Sequence, residues 1–86
     1  MSQLEDALQE LARYATAQRL TGAAKLALEH HVEASVGHTL EDRRKAMEAY
    51  WRTTGGMDAH DTMQVVKGQE HLREWIAKAR RPQEAR

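Results

Sequence analysis

The sequence predicts an all-α fold, a compact four-helix bundle-like single domain with short loops. Three observations carry that prediction. Apolar residues recur at helical spacing over four separate stretches. A Ser, Thr or Asp able to cap a helix precedes or opens each stretch. β-branched residues are sparse and never alternate over more than a few positions, so no strand competes. The helices are expected over 3–20, 23–36, 40–53 and 61–81 of one domain spanning 1–86, with 83–86 as a frayed tail.

The first helix opens on Ser2 with Glu5 three residues on, a capping box. Leu4, Leu8, Leu11 and Ala15 then fall at i, i+4, i+7 and i+11, one apolar stripe. Thr21-Gly22 predicts a break, with Thr21 capping the second helix. In that helix the stripe is Ala24, Leu28, Val32 and Val36, flanked by Ala27, His31 and Ala34, and Gly37 is the expected stop.

Thr39 and Asp42 repeat the capping pattern before the third helix. Leu40, Met47, Tyr50, Trp51 and Thr54 lie on or near one of its faces. Tyr50 and Trp51 are consecutive, so one narrow stripe cannot bury both; Tyr50 is expected to be the half-exposed one. Gly55-Gly56 ends this helix. The fourth helix, expected to be capped by Asp61 with Gln64, carries the most regular seam: Val65, Gly68, Leu72, Trp75 and Ala79, spaced 3, 4, 3, 4. Arg80 and Arg81 suit its C-terminal dipole, and Pro82 ends it. The pattern predicts the principal packing seam of the chain and a homodimer contact, with Gly68 admitting the backbone of the first helix or of a second copy.

Composition bounds the function. Thirteen basic side chains balance thirteen acidic ones, without the basic excess that marks most nucleic-acid-binding domains. Cysteine is absent, which excludes a disulfide framework, a thiolate nucleophile and a Cys-ligated zinc. No apolar run approaches the roughly 18 residues that span a bilayer, and the start lacks a signal peptide's pattern, so a cytoplasmic protein is expected. Nine Arg against four Lys, with fourteen Ala, suggest a GC-rich bacterial or phage source.

Three His-x-x-Glu pairs, His30–Glu33, His38–Glu41 and His71–Glu74, place a nitrogen and a carboxylate on one helical face, a pattern that could share a metal. Di-iron bundles use the reverse order, Glu-x-x-His, which does not occur here, and these pairs fall on polar faces. Local ion pairing is the expected use, and no cofactor is expected. No nucleophile elbow, Gly-rich phosphate loop or convergent carboxylate pair is present, so the chain reads as non-enzymatic. Arg43, Arg44, Tyr50, Trp51 and Arg52 form the best recognition cluster, cations beside aromatics on one helix. The expectation is a small protein that binds another protein as regulator, inhibitor, adaptor or assembly subunit. Nucleic-acid binding through the third helix and the basic C-terminal end comes second, and a His/Glu metal-binding bundle third.

Overall fold

The computed structural model describes residues 2–79. Among them run α1 (Gln3–Gln18), α2 (Gly22–Val36), α3 (Leu40–Thr54) and α4 (Ala59–Ala79), joined by residues 19–21, 37–39 and 55–58. The all-α, four-helix bundle-like class predicted from the periodicity is the one observed. The expected end of the fourth helix at 81, the pairing of Arg80 and Arg81 with its dipole, the stop at Pro82 and the frayed tail 83–86 lie outside the described residues.

The caps explain where the helices begin. Glu5 N–H donates to Ser2 Oγ at 3.1 Å, Ala24 N–H to Thr21 Oγ1 at 3.2 Å and Asp42 N–H to Thr39 Oγ1 at 3.0 Å. Each satisfies one of the donors left without an intrahelical partner in a first turn. The fourth start differs from expectation. Asp58 is the cap, its Oδ1 accepting from Asp61 N–H at 2.8 Å, and α4 begins two residues earlier than its seam implies.

Asp61 and Gln64 are thereby released for a tertiary task. Thr21 N–H donates to Gln64 Oε1 at 3.0 Å, and Thr21 Oγ1 donates to Asp61 Oδ1 at 2.9 Å. One threonine caps α2 and ties the α1–α2 turn to the first turns of α4. The break between α1 and α2 lies at Arg19, not at Gly22, which is helical. Arg19 takes the left-handed conformation (φ 55°), while Leu20 N–H donates to Ala15 O and Arg19 N–H to Thr16 O. That hydrogen-bond pair is the Schellman arrangement, here completed without glycine.

The core comprises Ala7 and Leu11 of α1, Ala24, Ala27, Leu28 and Val32 of α2, and Val65 and Leu72 of α4. Leu4, Leu8, Leu20, Val36, Met57, Trp75 and Ile76 cover its edges. Contacts run between α2 and each other helix, and between α1 and α4. The helix that the others cover is therefore α2, where the 3-4-3-4 pattern had pointed to α4. A helix with neighbours on three sides needs a broad apolar surface, and alanines at 24 and 27 widen the stripe of Leu28 and Val32.

Two glycines are set by close approach. At Gly68 a Cβ would collide with Leu28 Cδ1, so the gap in the α4 seam is filled by a side chain of α2, not by a backbone of α1 or of a second copy. At Gly37 a Cβ would stand 2.5 Å from Glu33 O, which allows the chain to turn sharply out of α2 with a φ of −62° and a ψ of 161°.

Candidate functional site: the outer face of α3

Helix α3 carries two stripes of the same 4-3-4 spacing. Asp42, Ala46, Ala49 and Thr53 form one; Leu40, Arg44, Met47 and Trp51 form the other, about 200° around the helix. Only one can face α2. The small stripe does: Ala46 is buried, and Ala49 and Thr53 are half-buried. Small side chains let α3 lie close to α2, and the large stripe is left outside. Leu40 is 78% exposed, Trp51 64% and Met47 36%. The sequence reading grouped these residues with Tyr50 and Thr54 on or near one face; the small-residue stripe was the signal that could have shown which side turns inward.

Tyr50 is half-buried, as expected, and it is Trp51 that stands outside. Tyr50 packs at the edge of the core, its ring 5.6 Å from that of His31, and Gln69 Nε2 donates to its hydroxyl at 2.5 Å. A half-buried tyrosine favours a partner for its polar tip, and α4 supplies one. Trp51, one residue and about 100° further around, stands in solvent with its ring edge-on to Tyr50 at 5.2 Å. Of the recognition cluster, Arg43, Arg44, Trp51 and Arg52 are thus on the surface and Tyr50 is mostly inside.

The charges along one flank of the large stripe alternate in groups: Glu41, Arg44 with Lys45, Glu48, Arg52. Arg44 lies 2.6 Å from Glu41 and 3.6 Å from Glu48, and Lys45 lies 3.9 Å from Glu41. All of these side chains are more than half exposed, so the pairs set the local pattern of charge more than they stabilise the helix.

The other predicted contact set is spent internally. Val65, Gly68 and Leu72 are buried against α2, Trp75 is half-buried at the core edge and Ala79 is exposed. That seam is covered by the chain's own helices and offers a second copy little besides Ala79 and part of Trp75.

The histidines serve three different surroundings. His30 Nδ1 lies 3.2 Å from Glu33, the local pair expected from the spacing. His71 does not meet Glu74; its Nε2 donates to Glu10 Oε2 at 2.7 Å, and its ring stacks on Tyr14 at 4.5 Å. That hydrogen bond, with a second from Arg13, holds the Glu10 carboxyl below its ordinary range. His31, between α3 and α4, has its pKa lowered chiefly by burial and further by the Arg73 charge. No spacing rule could have joined Glu10 to His71, since the two lie on different helices. Among the described residues no group of three or more His, Asp or Glu is placed to hold a metal ion.

A cleft of about 370 Å³ opens between the second half of α2 and α3, with His30, Glu33, His38, Asp42 and Lys45 in its walls and Leu4 of α1 beside them. Its signs are mixed, and its mouth is wide. No helix of the described residues is long and apolar enough to cross a membrane. No family model matches the chain, and neither a curated protein nor a solved structure matches it significantly.

Proposed function

We propose that this chain is a small, non-enzymatic helical protein that acts by binding another protein through the outer face of α3. The single observation that carries the reading is the inversion of α3, which turns Ala46 inward and presents Leu40, Met47 and Trp51 to solvent. Exposing three large apolar groups on one stripe forgoes burial worth about 1.5–3 kcal/mol for each that could have been covered. Trp, Met and Arg are also the residues enriched where protein interfaces are most buried, and Arg43, Arg44 and Arg52 border the stripe. Nucleic acid is the weaker fit, because Glu41 and Glu48 share the flank with Arg44 and a phosphate backbone would meet both signs.

The test is affinity capture from lysate of the source cells with the wild type and Trp51→Ala side by side. A protein retained by the first and lost by the second, at unchanged melting temperature, supports the reading. Equal recovery by both overturns it.

A further inference from the structure

The occupant of this face can be named from the order of its charges. We infer that α3 pairs with α3 of a second copy of the chain, antiparallel, about a two-fold axis that passes between the two helices level with residues 45 and 46. The inference rests on the protein-binding reading of the same face and specifies the partner.

The flank reads Glu41, Arg44 with Lys45, Glu48, Arg52, that is, minus, plus, minus, plus from N- to C-terminus. Reversed alongside itself, the same row reads plus, minus, plus, minus. Arg44 then meets Glu48 of the second copy, twice by symmetry, and Glu41 lies near Arg52. An isologous contact requires such self-complementarity, since residue i must suit residue j and j must suit i. The apolar stripe has the same property. Its positions 40, 44, 47 and 51 are symmetric about their centre, so Leu40 packs against Trp51 of the second copy and the Arg44 stem covers its Met47. In a parallel pair the stripe would set Arg44 against Arg44, two like charges in the seam.

The fold leaves this geometry open. Helix α3 packs on α2 along its small stripe and reaches α4 through the Tyr50–Gln69 hydrogen bond, so the opposite side is unobstructed by the described chain. The α4 seam is covered by α1 and α2 of the same chain, which leaves little of it to a second copy.

Sedimentation equilibrium of the full chain at high micromolar concentration is the first measurement, and a dimer is expected. Trp51→Ala should raise the dissociation constant by roughly thirtyfold. Arg44→Glu and Glu48→Arg should each raise it by roughly tenfold, because each makes the flank meet its own sign. The decisive step mixes those two charge variants. In the mixed dimer Glu at 44 of one copy meets Arg at 48 of the other, and the second contact keeps the native Glu48–Arg44 pair, so the mixture should associate more tightly than either variant alone. Intrahelical pairing cannot produce that rescue, and circular dichroism melts of the separate variants show that each is folded.

A monomeric wild type overturns the self-pairing, as does a dimer indifferent to all three substitutions or a mixture that associates no more tightly than either variant alone. None of these results alters the Trp51→Ala capture comparison, so failure of the self-pairing and failure of the protein-binding reading are separable.

Discussion

Helices α2 and α3 are each fifteen residues long and adjacent in the chain, yet they spend their side chains in opposite ways. Helix α2 buries Ala24, Ala27, Leu28 and Val32; α3 buries Ala46 alone. Leu28 and Val32 of α2 point inward, and Leu40, Met47 and Trp51 of α3 point outward. Periodicity tells which residues share a face. Which face turns inward depends on the neighbours, and α3 has essentially one neighbour where α2 has three.

The contrast can be broken most severely at Leu28, which is fully buried and touches the core from its centre. Leu28→Ala should cost about 2–5 kcal/mol, a large share of the roughly 4–13 kcal/mol expected for a chain this size. A urea titration reads the loss, and a cost below about 1 kcal/mol would displace α2 from the centre of the fold.

A smaller effect sharpens the same point. Gly68→Ala gains about 1 kcal/mol of helix propensity but drives a methyl into Leu28, which has no exposed side on which to relax. A net destabilisation of about 1–2 kcal/mol is expected. In the Leu28→Ala background the penalty should vanish or change sign, and that non-additivity, measured as a double-mutant cycle, identifies the contact.

Acid should act on the α2 side of the comparison. Burial lowers the pKa of His31 in the folded protein, so the unfolded chain takes up the proton first. The contribution of neutral His31 is complete above the ordinary imidazole value of about 6.5 and is lost as pH falls through it toward the folded value. Glu10, also lowered, loses its contribution in the same direction, but only below the ordinary carboxylate value of about 4.3. Urea midpoints at pH of about 7.5 and about 5.5 should fall for the wild type and hold nearly level for His31→Gln.

The smallest expected effect lies on α3. Leu40→Gln, at a position 78% exposed, should leave the stability of the monomer within about 0.5 kcal/mol when melts are run dilute. A loss near that of Leu28→Ala would mean that Leu40 is covered in the folded monomer.

Against these outcomes, the sequence carried the helices and three of the four caps, because both are local. Ser2, Thr21 and Thr39 each act within three residues of themselves. The stripes of α1 and α2 were legible for the same reason. Asp61 was misread because a carboxylate at a helix start has two uses, and only the fold reveals that Asp58 caps while Asp61 reaches Thr21. The orientation of α3 was hidden because its two stripes have equal spacing, and residue size alone does not say which one a neighbour will accept. The cationic members of the candidate site, Arg43, Arg44 and Arg52, were visible as residues. The exposure of Leu40 and Met47 beside them was not.

The tie between Thr21 and Gln64 gives the turn after α1 an unusual property. Amide protons in three-residue turns ordinarily exchange with solvent quickly, since nothing shields them. The Thr21 amide instead donates across 43 positions of sequence to a side chain of α4. Its protection therefore lasts only while α4 is seated. Deuterium uptake at Thr21, read against the amides of Leu28 and Val32 in the middle of α2, becomes a gauge of partial opening, separating release of α4 from loss of the whole fold.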